Sequence, residues 1–148
     1  MTMLRYMETD WDEVRDQLTA WWRRDMPDRP ILAVTAPRDT PLAFPEPPPK
    51  TGDDRANWLD VEAVIKRFEH GCSRRFYGGV AFPYLTPDLG PGCLNIYLGA
   101  EPVFSPTTVW YQPVFDDPRT ASLRLDPGNP YWTWTLAALD RIRTAGAG

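Results

Sequence analysis

Apolar residues recur at helical spacing near the start of the chain, just after Thr9, a residue that can cap a helix. They share one face of the predicted helix and are Trp11, Val14, Leu18, Trp21 and Trp22. We expect this helix to end before Pro27, because proline cannot continue a helix. A continuous apolar run from Ile31 to Ala36 then lies between two prolines, which is typical of a buried strand.

The segment 37–57 shows no periodicity and contains six of the 17 prolines. A stretch of about twenty residues without an element is uncommon in a compact domain. We interpret it as a long Pro-rich loop that follows the end of a strand. It is either a functional lid or a plain surface insertion.

The middle of the chain returns to helical periodicity. A second amphipathic helix is predicted from Asp60 to Phe76, where two glycines follow and end it. Val80–Phe82 is predicted as a short second strand. A short helix is then expected from Cys93 to Leu98, closed by a glycine.

Two β-rich runs, Glu101–Phe104 and Thr107–Phe115, contain prolines of the kind found in edge strands and hairpins. Ser122–Leu125 is predicted to pair beside them. Asn129 is expected to cap a final helix that starts at Pro130. The apolar residues predicted to share one face of this helix are Trp132, Leu136, Leu139 and Ile142.

The alternation of helices with strands predicts an α/β protein. At 148 residues the chain has room for one domain, whereas a complete eight-stranded barrel needs about 250 residues. We therefore expect residues 1–148 to form a single domain, the N-terminal portion of a (β/α)8 TIM barrel. This portion is predicted to hold about three barrel strands and a β-hairpin excursion.

Composition and charge narrow the class of protein. Hydrophobic residues make up 43% of the chain and charged residues 24%, which is typical of a globular protein. The net charge of -4 argues against a general affinity for nucleic acid or for anionic membranes. Two cysteines are too few for a disulfide scaffold, and no apolar run approaches the ~20 residues that span a bilayer. We expect a cytoplasmic protein with reduced thiols.

His70, Cys72 and Cys93 are residue types that bind zinc. On a helix, however, residues 70 and 72 point about 200° apart, whereas helical ligand pairs are spaced i,i+3 or i,i+4. We predict that Cys72 lies in the core, that His70 lies on the surface, and that the chain holds neither a metal nor a cofactor. Signatures of a nucleophile or of a phosphate loop do not occur in the sequence.

The candidate binding residues follow the predicted strands. Arg38 and Asp39 come after the first strand, and Tyr84 and Asp88 come after the second. Barrel enzymes build their sites from such loops, where an arginine can bind a substrate carboxylate bidentately and an acid can position a proton. The alternative is that Arg38 and Asp39 pair with each other on the surface. Trp110 either walls an apolar pocket or packs in the core, and no catalytic residue is assigned.

Several short motifs follow one another in a distinctive order. A helix closes in Asp25–Pro30, a strand follows, and Arg38 comes next; further on, Cys93–Glu101 combines a small helix, Leu-Gly and an acidic residue. Over most of Trp11 to Phe115 this order resembles the start of the uroporphyrinogen decarboxylase superfamily. Residues Thr107–Trp110 are most similar to an uncharacterised branch of that superfamily.

The resemblance implies a (β/α)8 barrel of more than twice this length, with one of two activities. One is a lyase that decarboxylates a tetrapyrrole, a porphyrin precursor, without a cofactor; the other is a corrinoid-linked methyltransferase that uses zinc to activate a thiol. Arg38 matches in position the family's carboxylate-binding arginine. The family's second arginine is absent from 39–42, and its pyrrole-binding aspartate is expected near Gly90, where Asp88 is the nearest acid.

We therefore expect the N-terminal part of a decarboxylase-like protein, which binds a carboxylated tetrapyrrole or a related small molecule and is not catalytically complete alone. The alternative is a standalone small α/β binding or interaction module with a Trp-rich surface and no catalysis. The expected partners are a small molecule and either the C-terminal part of the barrel or a second copy of the chain in a homodimer.

Overall fold

A computed structural model of the chain describes residues 3–25 and 30–146. Its helices are α1 (Trp11–Arg23), α2 (Asp54–Leu59), α3 (Val61–Ser73), α4 (Cys93–Tyr97) and α5 (Pro130–Gly146), and a 3-10 helix, Met3–Tyr6, precedes α1. Its strands are β1 (Ala33–Pro37), β2 (Arg75–Gly79), β3 (Pro102–Phe104) and β4 (Val109–Tyr111). In the described part of the chain no helix has the length and apolar character needed to cross a membrane.

The strands form two separate antiparallel pairs. β1 pairs with β2, with Ala33 opposite Gly79, and β3 pairs with β4, with Val103 opposite Trp110. The mixed α/β class is therefore confirmed, and so is the predicted hairpin. The strands of a (β/α)8 barrel run parallel, so the described residues show the fold class without showing a barrel.

The chain divides into two compact units. The first takes in the chain up to Pro48, Ile65–Leu85 and the last residues from Ala145, and the second comprises Pro49–Val64 and Thr86–Thr144. The boundary between them falls within α3. The single domain predicted for 1–148 stays a prediction.

The first helix is confirmed, but its cap is one residue later than predicted. Asp10 is the N-cap, and its carboxylate accepts a hydrogen bond of 2.8 Å from the backbone N–H of Asp12. Val14 is the only residue described as fully buried in this helix, and the tryptophan pair predicted for the apolar face is exposed. The turn around Pro27 lies outside the described residues.

Both strands of the first unit differ from the prediction. The apolar run at Ile31–Ala36 was predicted to be a buried strand, yet every residue of β1 is exposed. The helix predicted to reach Phe76 ends at Ser73, and the second strand lies at Arg75–Gly79 instead of Val80–Phe82. The cause is long-range pairing with β1, which a local helical pattern cannot reveal.

The core of the first unit is built around a buried polar contact. The Tyr77 hydroxyl donates a hydrogen bond of 3.3 Å to the Cys72 Sγ, and Tyr6 and Ala81 complete the buried cluster. The predicted core position of Cys72 is confirmed. Burial raises the pKa of the Cys72 thiol and, more strongly, that of the Tyr77 phenol, so both groups remain protonated at neutral pH.

The second unit is held together by side chains that donate to backbone carbonyls. The Trp58 Nε1 donates to the Ser105 carbonyl at 2.8 Å, and the Trp134 Nε1 donates to the Leu59 carbonyl at 2.9 Å. The predicted loop 37–57 runs into α2, which begins at Asp54. The N-cap of α2 is Asp53, whose carboxylate accepts a hydrogen bond from the Ala56 backbone N–H. An aspartate at this position is a sequence signal for the start of a helix.

The final helix begins as predicted, with a different face turned inward. Asn129 accepts hydrogen bonds from the backbone N–H groups of Tyr131 and Trp132 at 2.9 and 3.1 Å. The residues of α5 that are fully buried are Thr135 and Ala138. The predicted apolar face was wrong in part, since Leu136 and Leu139 are both nearly half exposed. Ser122–Leu125, predicted to pair beside the hairpin, forms no strand.

Candidate functional site

The five predicted binding residues fall in different units. Arg38, Asp39 and Tyr84 belong to the first unit, and Asp88 and Trp110 belong to the second. Among the described contacts, no hydrogen bond, ion pair or ring contact joins any two of them. Neither unit therefore gathers them into one cluster.

Arg38 is held by contacts within its own unit. Its Nη2 donates to the Glu8 carboxylate at 2.8 Å and to the Tyr6 carbonyl at 2.9 Å, and its Nε donates to the Arg75 carbonyl at 3.0 Å. The side chain is only 16% exposed. The partner of Arg38 is thus Glu8 rather than the adjacent Asp39, which is exposed. A ligand carboxylate would have to displace Glu8 to reach the bonded face of this guanidinium.

The other three residues lie at the surface. Tyr84 is 72% exposed, with its ring 6.1 Å from that of Phe82, and Trp110 on β4 is 67% exposed. Of the two alternatives for Trp110, packing in the core is therefore wrong. Asp88 caps a turn, since its carboxylate accepts a hydrogen bond of 2.7 Å from the Gly90 backbone N–H.

The residues first considered for zinc have other roles. Cys72 is buried against Tyr77, and the Nε2 of His70, a partly buried side chain, accepts a hydrogen bond of 3.1 Å from Arg74. Cys93 belongs to the other unit. Within residues 3–25 and 30–146, no group of three or more histidine, cysteine or carboxylate side chains is placed to hold a metal ion.

A groove in the second unit has the character of a binding surface. It encloses about 220 Å³ between α4, β4 and the chain that follows β4. Its walls are mainly apolar and include Leu98, Phe115 and Leu123. Asn95 and Gln112 also line it, and neither side-chain amide has a hydrogen-bond partner within the described part of the chain. The groove can therefore offer apolar contact together with amide donors and acceptors.

Tyr111 is the one titratable residue among the described residues that line this groove. Its hydroxyl donates to the Leu89 carbonyl. Burial, with smaller contributions from Cys93 and Asp88, raises the pKa of this phenol to about 12. A phenol with that pKa remains protonated at neutral pH and does not act as a base there. The described lining of the groove therefore holds no acid–base pair.

A second concave surface, in the first unit, was not found from the sequence. It encloses about 310 Å³ beside β1 and the end of α3, and Arg74 and Arg75 are among the residues that line it. The pair of arginines at the helix-to-strand junction was the available signal, but both fall within the helix predicted from Asp60 to Phe76. This surface is termed the arginine cleft below.

No family model, curated protein or solved structure matches the chain.

Proposed function

We propose that this chain is the N-terminal part of a uroporphyrinogen decarboxylase-like protein, a partial (β/α)8 barrel that binds a carboxylated tetrapyrrole or a related small molecule. On its own it is not catalytically complete. The observation that supports the proposal is the exposure of β1, a strand whose sequence is that of a buried one.

Strands of parallel barrels are covered on both faces and read as continuous apolar runs. The run Ile31–Ala36 has that composition, yet Leu32 is 66% exposed and Val34 is 47% exposed. Apolar side chains of this size gain about 1.5–3 kcal/mol each when they are fully buried. Under the proposal, further strands and helices of a barrel would cover this run and bury its apolar side chains.

One edge of β1 is also open. The Val80 N–H donates to the Leu32 carbonyl and the Arg38 N–H donates to the Arg74 carbonyl, each at 2.9 Å. Alternation along an antiparallel ladder then directs the backbone groups of Ala33 and Thr35 to the opposite edge. In the described residues the sheet has two strands only. A parallel barrel strand would pair at that open edge.

The proposed incompleteness rests on the chemistry of the groove in the second unit and on the contacts of Arg38 in the first. The groove of the second unit holds no acid–base pair among its described lining residues, and Arg38 is already bonded to Glu8. Within a longer chain the reaction would be decarboxylation or corrinoid-linked methyl transfer, according to the branch of the family. Residues outside this chain would then supply the catalytic groups.

The test is light scattering after size-exclusion chromatography of the isolated chain, with 1-anilinonaphthalene-8-sulfonate fluorescence as a reporter of exposed apolar surface. We expect self-association and strong dye binding, because the open β1 edge and its apolar residues are a template for pairing. Leu32→Ser should weaken self-association by about tenfold or more, since a buried leucine contributes at least about 1.4 kcal/mol.

The matched control is Leu94→Ser, which removes a leucine of similar exposure from α4, 64% against 66%. It should leave self-association unchanged. A dye-free monomer with one sharp unfolding transition would contradict the proposal. So would an equal response of the two variants, since the effect would then not be specific to β1.

The second candidate is a standalone binding module, and the exposure of Trp110 and Trp22 favours it, since exposed tryptophans are enriched at interfaces. The same experiment separates the two candidates. Thermal unfolding with added uroporphyrin then tests the ligand: binding to the folded chain should raise the transition temperature by mass action. An unshifted transition would contradict tetrapyrrole binding by this chain.

A further inference from the structure

The arginine cleft concentrates positive charge on a chain whose net charge is -4. Its described lining consists of Thr35, Ala36, Pro37, Gly71, Arg74 and Arg75. No carboxylate is among these residues. The lining residues therefore carry a charge opposite in sign to that of the chain, with the exposed carboxylate of Glu46 3.7 Å from Arg74.

Arg74 is only loosely paired. Its Nε donates to the His70 Nε2 at 3.1 Å, and its Nη2 lies 3.7 Å from the Glu46 carboxylate, which is itself 80% exposed. A long contact with an exposed carboxylate contributes little. Most of the hydrogen-bonding capacity of this guanidinium is therefore available to a ligand.

Arg75 is less constrained still. In the ranges that the structure describes, its side chain makes no ion pair, and it stands opposite Pro37 at the end of the β1–β2 ladder. Arg74 lies just past the C-terminus of α3, where a cation is favoured by the helix dipole. That explanation does not extend to Arg75, which begins β2 and also lines the cleft.

We infer that the arginine cleft binds a small anion that carries carboxylate or phosphate groups. Guanidinium groups match these anions with paired N–H donors, and adjacent arginines can hold two anionic groups or two faces of one. Thr35 and Pro37, which alternate along β1 and so share one face of the strand, also line the cleft and offer a hydroxyl and an apolar ring. A volume of about 310 Å³ lies at the lower end for small-molecule sites. This inference concerns the isolated chain and does not rest on the proposed function, because it uses neither Arg38 nor a further barrel strand; the two proposals share only the β1 residues Thr35, Ala36 and Pro37.

The test is a titration of the 15N-labelled chain with inorganic phosphate and, separately, with succinate at low ionic strength. We expect saturable shifts of the backbone amide signals of Thr35, Gly71 and Arg75. Arg75→Gln should weaken binding by about tenfold, because it removes a charge-assisted hydrogen bond to the anion. Arg75→Lys keeps the charge without the paired donors and should lie between the parent and Arg75→Gln.

The matched control is Arg23→Gln, which makes the same charge change at an exposed position of α1 in the same unit. It should leave both titrations unchanged. Equal weakening by Arg23→Gln and Arg75→Gln would overturn the inference, because binding would then follow net charge alone. Unchanged binding in Arg75→Gln would overturn it as well.

The choice of probe identifies the chemistry. Saturable binding of phosphate alone assigns a phosphate site, binding of succinate alone assigns a carboxylate site, and failure of both overturns the inference. Each titration is repeated in the Leu32→Ser background, so that self-association through β1 does not alter the readout. Failure of the anion site is thereby separated from failure of the proposed function.

Discussion

At the scale of a single residue, Arg38 lies after a strand as predicted, but its guanidinium contacts other residues of its own unit. Its guanidinium joins Glu8 and the Tyr6 carbonyl to β1 and is mostly buried. Arg38→Ala should lower the free energy of unfolding by about 1–3 kcal/mol, since it leaves the Tyr6 carbonyl without its charged donor. Urea unfolding followed by circular dichroism measures the change.

The control for this prediction is Arg23→Ala, because the exposed side chain of Arg23 has no described ion pair. This substitution should change the free energy of unfolding by less than about 0.5 kcal/mol. If Arg38→Ala proves as stable as the parent, the contact with Glu8 is energetically neutral. Arg38 would then be available to a ligand carboxylate, as its position in the sequence suggested.

The position of Arg38 after a strand could be predicted from the sequence, and its partner could not. The apolar run before it marks the strand locally, whereas Glu8 is 30 residues away and lies in no periodic pattern. The same limit applies to the arginine cleft. The sequence shows that Arg74 and Arg75 are adjacent. That both line one cleft depends on where α3 ends and on the pairing of β2.

At the scale of elements, the close approach of β1 and β2 depends on Gly79. Its φ is +61°, and a Cβ at this position would lie 2.1 Å from the Leu32 carbonyl oxygen. Gly79→Ala should therefore destabilise the chain by about 2 kcal/mol or more, from backbone strain and the clash together. Thermal unfolding followed by circular dichroism, at the β-sheet and helix bands, measures this loss of stability.

Gly71→Ala is the matched control, because nothing lies within 4 Å of a Cβ at that position of α3. The same change should there stabilise the helix by about 0.5–1 kcal/mol. Opposite signs at the two glycines are expected. A Gly79→Ala variant as stable as the parent would mean that the β1–β2 ladder does not form as described.

Elements with local signals were predicted better than those made by pairing. Asn129 followed by Pro130 marks the start of α5 because a cap and a rigid first position act within one turn. β2 was missed because its partner is about 40 residues away, and Arg75 and Phe76 extend a helical pattern equally well. The inward face of α5 was misjudged for a related reason, since packing selects Thr135 and Ala138 over larger apolar residues.

At the scale of the whole molecule, each unit holds one tyrosine whose ionisation is strongly disfavoured. Tyr77 lies in the core of the first unit, and Tyr111 lies beside the groove of the second. Burial is the main reason that the pKa of Tyr111 rises to about 12 and that of Tyr77 well above its usual value of 10. Ionisation of either phenol is thus linked to the unfolding of its unit.

The sign of this linkage predicts a loss of stability in alkali. A phenol whose pKa is raised in the folded state contributes fully below pH 10, where both states are protonated. Above that pH the unfolded chain ionises first, so stability falls as the pH rises toward 12.

Urea unfolding at about pH 8 and about pH 11 should show this fall. Tyr111→Phe should reduce it, whereas Tyr84→Phe, at an exposed position, should not. Equal declines in the parent and in Tyr111→Phe would mean that Tyr111 ionises freely in the folded chain, and the groove would then present a phenolate in alkali.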